Sequence, residues 1–128
     1  MLDHVGIPVS DYGRSKGFYL RAFAPLGYDL VMEVSSPETG GRSHAGFGTK
    51  GRPHFWIGTG IPLKGQAHFA FMAKDRTAVD AFYAAALKAG AKDNGPPGLR
   101  PHYHANYYGA FVLDPDGHNI EAVCHFPE

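Results

Sequence analysis

Displacing the sequence by 64 positions against itself lays LDHVGIPVSDYGRSKGFYLRAF over QAHFAFMAKDRTAVDAFYAAAL, and similar chemistry recurs at matching places. His4 pairs with His68, Asp11 with Asp75, Phe18 with Phe82, Tyr19 with Tyr83 and Ala22 with Ala86. Five identities in the twenty positions 4–23 stand against roughly one expected from ordinary residue frequencies. The chain reads as an internal duplication, with residues 1–63 as one module and 64–128 as the other. At 128 residues both modules belong to a single domain with one core.

Each copy opens with a short apolar run, Leu2 to Val9 and Ala67 to Ala73, too short for an ordinary helix and read as a strand introduced by a histidine. Asp11 and Asp75 then stand where a carboxylate accepts hydrogen bonds from the free N–H groups of a helix start. The helical faces are Phe18, Tyr19, Ala22, Phe23 and Leu26 in the first copy, and Val79, Phe82, Tyr83, Ala86 and Leu87 in the second. Gly27 and Gly90 supply the left-handed stop. Tyr28 to Val34, His44 to Thr49 and His54 to Gly58 read as strands, so the first module is βαβββ. In the second, a short extended piece at Ala91 to Asp93 precedes a loop from Asn94 to Ala105, then strands Tyr107 to Leu113 and Asn119 to Cys124. Asp114-Pro115-Asp116-Gly117 is a turn that makes those last two strands a hairpin.

Composition narrows the partners. Twelve Lys and Arg balance twelve Asp and Glu, so no broad field attracts nucleic acid or an anionic membrane, and a small molecule is the expected partner. Cys124 is the only cysteine, which excludes an intrachain disulfide and a multi-thiolate zinc site and fits a reducing cytoplasm. Asp3 and His4 interrupt any signal-peptide pattern at the start, and no run is long enough to span a bilayer.

Equivalent histidines on two repeats can face one point when the repeats pack about a pseudo-twofold axis. Glu121 lies mid-strand in IEAV, where a carboxylate is costly unless it meets a metal, a partner or water. Two imidazoles and a carboxylate, His4, His68 and Glu121, suit a divalent ion with open positions: iron, zinc, nickel or manganese. LRPHYHANYYGAF adds Arg100, His102, Tyr103, His104, Tyr107 and Tyr108 just before the last hairpin. Histidine passes protons, tyrosine donates to an oxyanion and arginine holds a carboxylate. Tyr107 and Tyr108 point to opposite strand faces, so only one of them faces the cavity. His44, His118 and His125 join no constellation.

LDHVGIPVSD with Phe18-Tyr19 on the first helix, AHFAF opening the second module and DPDGHNIEAV near the end resemble the vicinal oxygen chelate superfamily, which holds glyoxalase I, extradiol dioxygenases, epimerases and bleomycin or fosfomycin resistance proteins. The resemblance spans nearly the whole chain. It implies an α+β fold of two βαβββ modules forming a half-open, barrel-like mixed sheet with helices outside, around a metal. Carried over by position, His4, His68 and Glu121 are the ligands. The fourth position departs from the pattern, because FWIG matched to IEAV puts Trp56 where glyoxalase I has a carboxylate; His54, on the same strand face, is the substitute to weigh against a solvated histidine. Trp56 then serves as core or as an aromatic wall for a ligand.

The activity implied is a metal-dependent, glyoxalase-like lyase or isomerase acting on a small oxygen-rich molecule. Glu121, His102 and Tyr108 are the expected proton-transfer groups, and Trp56, Arg100, His104 and Tyr107 the expected substrate contacts. An extradiol-type iron dioxygenase and a metal-free, drug-binding protein are the alternatives. A homodimer is implied because superfamily members often pair modules across subunits, although a duplicated chain also allows a complete site within one copy.

Overall fold

The computed structural model describes residues 1–35 and 40–128. The first module runs β1 (Val5–Val9), α1 (Tyr12–Phe23), a single 3-10 turn at Ala24–Leu26, β2 (Asp29–Val34), β3 (His44–Thr49) and β4 (Arg52–Thr59). The second runs β5 (His68–Met72), α2 (Arg76–Lys88), β6 (Lys92–Leu99), β7 (Tyr108–Leu113) and β8 (Asn119–Cys124). Each forms a four-stranded sheet of the same design, β1-β4-β3-β2 and β5-β8-β7-β6. In both, the first strand lies parallel to the last and the other pairings are antiparallel. The repeated βαβββ modules are those the duplication predicts, and their open mixed sheets form the α+β arrangement that the family resemblance implies. No helix among the described residues is long and apolar enough to cross a membrane.

The helix starts are made as expected. Asp11 accepts from the Arg14 N–H at 3.1 Å and Asp75 from the Ala78 N–H at 2.8 Å, caps of about 1 kcal/mol each. Gly27, at φ 79°, ends the 3-10 turn in the left-handed region. Gly90 takes φ 103° after α2.

One expectation needs correction. The segment expected to loop from Asn94 is a strand as far as Leu99, paired with β7. Its composition, NGPPG, argues against a strand because proline donates no ladder hydrogen bond. The register shifts between Asp93 and Gly95 and again between Gly95 and Gly98, and among the described residues β6 has a neighbouring strand on one side only, so the prolines are accommodated at a bulged edge.

Every strand has two faces, and the helices cover only one of them. Ile7 and Val9 of β1 and Phe55 and Ile57 of β4 are buried toward the core, as are Phe82 and Val79 of α2. The two modules share that core. Phe23 of α1 lies 5.5 Å from Phe47, 5.8 Å from Phe55 and 4.7 Å from Phe71 of the second module, ring centre to ring centre. Phe55 also meets Phe69 at 5.3 Å and Phe71 at 5.2 Å.

A buried carboxylate adds a polar tie. Asp114, at the start of the hairpin turn, accepts from the N–H groups of Asp116 at 3.0 Å and His118 at 2.9 Å, and its other oxygen accepts from the Tyr19 hydroxyl of α1 at 2.5 Å. Burial, reinforced by Asp114, raises the Tyr19 phenol well above its ordinary pKa, so it stays a donor across the accessible pH range. Tyr19→Phe leaves a buried carboxylate oxygen without its partner. Urea denaturation should show a loss of about 1–3 kcal/mol. A change within the roughly 0.5 kcal/mol typical of surface substitutions would mean that this bond does not tie the modules.

Candidate functional site

The uncovered faces of the two sheets carry the side chains of interest. In β8, Glu121 lies between Ala70 of β5 and Phe111 of β7 and projects away from the helices. Its side chain is only 2% exposed, whereas that of His68 is 48% exposed, so the carboxylate forms the back of the site and the imidazole its open side. His68 Nε2 is 3.0 Å from Glu121 Oε1. The Tyr107 hydroxyl donates a short hydrogen bond to Glu121 Oε2. Burial first, and then this carboxylate, raise the Tyr107 pKa, which keeps the phenol protonated. Gly109 makes room for the group: a methyl there would come within 3.2 Å of Glu121 Oε2 and 3.3 Å of the Tyr107 ring. On the other side of His68, Asn119 Nδ2 lies 2.9 Å from Nδ1.

These groups open into a cavity of about 600 Å³, completed by His102, Tyr103, His104 and Phe111. The loop expected to supply substrate-side chemistry therefore roofs the second module's face. His104 Nε2 is 2.6 Å from Nδ1 of His125, a contact that no spacing in the sequence discloses. Arg100 lies outside that lining. Its Nη2 donates to the Pro96 carbonyl at 2.7 Å and its guanidinium covers the Phe111 ring at 5.4 Å, so it braces β6 against β7. Tyr108 turns the other way: its hydroxyl donates to Asp80 of α2 at 2.7 Å, and that bond, with burial, pushes its pKa up to about 12. Of the two adjacent tyrosines, Tyr107 faces the cavity.

The first module presents its own concave face. His4, Arg52, His54 and Trp56 border a separate cavity of about 390 Å³. His4 Nδ1 pairs with Asp3 Oδ1 at 2.8 Å, and His54 Nδ1 is 3.2 Å from the Asp3 carbonyl oxygen. The strand registers bear out the matching of FWIG with IEAV. Trp56 lies opposite Gly6 in the first module as Glu121 lies opposite Ala70 in the second. The indole lies across Gly46, where an added methyl would be 2.9 Å from its ring.

Within one chain, His68 and Glu121 are neighbours and His4 is not with them. Among the described residues, no three His, Cys, Asp or Glu side chains form a cluster able to hold a metal ion. The His68–Glu121 pair nevertheless fits two ligands of one ion. One offers a ring nitrogen and the other a carboxylate oxygen, 3.0 Å apart at the back of one cavity. An imidazole with a buried carboxylate is also a donor set that divalent transition ions accept.

The chain matches the Glyoxalase/Bleomycin resistance protein/Dioxygenase superfamily over residues 1–122. Among solved structures it is similar to a glyoxalase/bleomycin resistance protein from Albidiferax ferrireducens, with 27% identity, 99% of each chain covered and a TM-score of 0.72. It is also similar to a mutant glyoxalase I from Zea mays, at 26% identity and a TM-score of 0.73, covering 95% of this chain and 46% of that one. The chain thus spans about half of the maize protein. A mutant of the fosfomycin resistance protein FosX from Listeria monocytogenes, complexed with manganese(II) and 1S,2S-dihydroxypropylphosphonic acid, shares the fold at 18% identity and a TM-score of 0.70, over 96% of this chain and 90% of that one. No curated protein sequence matches. With the family match running through both modules and the paired sheets beneath it, the chain belongs to the Glyoxalase/Bleomycin resistance protein/Dioxygenase superfamily.

Proposed function

We propose that the protein is a metal-dependent, glyoxalase-like enzyme of the lyase or isomerase type that acts on a small oxygen-rich molecule. The observation that carries this reading is the buried Glu121 carboxylate held between His68 and Tyr107 at the back of a cavity of about 600 Å³. His68 and Glu121 of one copy and His4 of a second copy in a homodimer would hold the ion. The placement of His4 on the other module's concave face, away from the pair, favours this shared site over one within a single chain. When bound, a divalent ion supplies Lewis acidity toward adjacent substrate oxygens. The protein's own groups do the rest. Glu121 exchanges a proton with substrate carbon, Tyr107 holds the carboxylate in place through Oε2, and His102 at the cavity wall moves protons to and from solvent. His104 and Tyr107 border the substrate volume, and Trp56 of the second copy closes it with an aromatic face.

A metal-free binding protein is the second reading. Trp56 in the strand position equivalent to Glu121 favours it, because an indole there replaces a possible ligand with an apolar wall.

Elemental analysis of protein purified without a histidine tag should find near-stoichiometric zinc, nickel, manganese or iron in the wild type, lost in His4→Ala, His68→Ala and Glu121→Ala. Iron, with oxygen consumed on a catechol, would instead favour the dioxygenase. No uptake of any of these ions would overturn the enzyme and leave the binder. Subunit mixing tests the shared site separately. Equal amounts of His4→Ala and Glu121→Ala chains, unfolded and refolded together, should regain about a quarter of the wild-type metal capacity, since half the dimers are mixed and each holds one intact site. A site confined to one chain predicts no recovery.

A further inference from the structure

Asn119 precedes Glu121 by two residues on β8, and so shares its strand face. It is also the direct neighbour of His68 across the parallel β5–β8 pairing. Its side-chain Nδ2 faces His68 Nδ1 at 2.9 Å, while its Oδ1 is buried with no hydrogen-bond partner. This arrangement constrains the imidazole. With Nδ2 toward the ring, the amide N–H donates and His68 Nδ1 accepts, which in a neutral ring leaves the single proton on Nε2, 3.0 Å from Glu121 Oε1. A ring in that form has no lone pair to offer at Nε2. Reversing the amide, whose two ends are nearly equal in size, puts Oδ1 against Nδ1. Nδ1 then carries the proton and donates it, and Nε2 becomes bare. A bare Nε2 3.0 Å from a carboxylate oxygen sets two acceptors face to face, an opposition that a cation between them relieves.

We propose that Asn119 is a positioning residue whose side-chain amide decides which nitrogen of His68 carries the proton, and thereby whether Nε2 can serve as a ligand. Nδ2 toward the ring keeps Nε2 protonated and the His68–Glu121 hydrogen bond closed. Oδ1 toward the ring opens the pair to a divalent ion. Partners of this kind fix the orientation and tautomer of ligating imidazoles, and their loss typically costs 10–100-fold in metal affinity. The ligand role of Nε2 rests on the functional reading above, whereas the control of the tautomer does not.

The test uses the whole chain with Asn119→Asp and Asn119→Leu beside the wild type. Nitrogen-15 NMR of the imidazole rings, with His68→Gln to assign the His68 signals, reports the tautomer in metal-free protein, and titration calorimetry reports zinc affinity. Wild-type His68 should carry its proton on Nε2. Asn119→Asp, which can only accept, should move it to Nδ1 and hold or raise zinc affinity. Asn119→Leu should lower affinity 10–100-fold with the thermal midpoint of folding little changed. The same His68 tautomer in wild type and Asn119→Asp, or zinc affinities within twofold across all three proteins, would overturn the proposal. If the wild type takes up no zinc while Asn119→Asp still moves the proton, the metal reading fails and control of the tautomer by Asn119 stands.

Discussion

The contact of Phe23 and Phe55 with Phe71 makes the two modules one body. A single helix on a four-stranded sheet buries too little apolar surface to stand against chain entropy, so each half depends on the other's aromatic rings. Burying a phenylalanine contributes about 1.5–3 kcal/mol, and this seam gathers several at one place. Because the stabilising surface is concentrated on the helix side, the opposite face of each sheet is released from packing. Polar groups can be set there without weakening the fold.

That separation explains why Glu121 is tolerated in a strand whose residues from Ile120 to Cys124 are otherwise apolar and buried. Its neighbours Ile120 and Ala122 are fully buried, and alternation turns the carboxylate to the concave side. There it is sheltered from water, yet both of its oxygens have partners in His68 and Tyr107. A buried carboxylate satisfied in this way avoids the penalty of an unpaired charge and keeps its geometry.

The duplication, both helices with their caps, and the final hairpin were legible in the sequence because each depends on local chemistry repeated at a fixed interval. The β6 strand was not, since its prolines forbid regular pairing and only the edge position admits them. Among the site residues, His68 was marked by its repeat partner His4 and Glu121 by its place mid-strand in IEAV, so both were visible in the sequence. The company kept by His4 was not, because two equivalent strands can face one another or face apart with the same sequence pattern. Tyr107 was recognisable as half of an alternating pair, but its hold on Glu121 depends on how the preceding loop folds back. Asn119 carried a usable signal in its two-residue spacing from Glu121. His125 carried none, since its contact with His104 joins the chain's end to a loop.

The double proline of β6 has a further consequence. The outer margin of a sheet is where a foreign strand can add itself, continuing the ladder into an aggregate, and proteins guard such margins with bulges and with residues that cannot donate. Pro96 and Pro97 do both at the margin of the second sheet, lying inside the register shift between Gly95 and Gly98. A neighbouring copy therefore finds no template for strand addition along β6. Association at that end of the molecule is steered from backbone zippering toward surfaces where side chains, and hence specificity, decide the outcome.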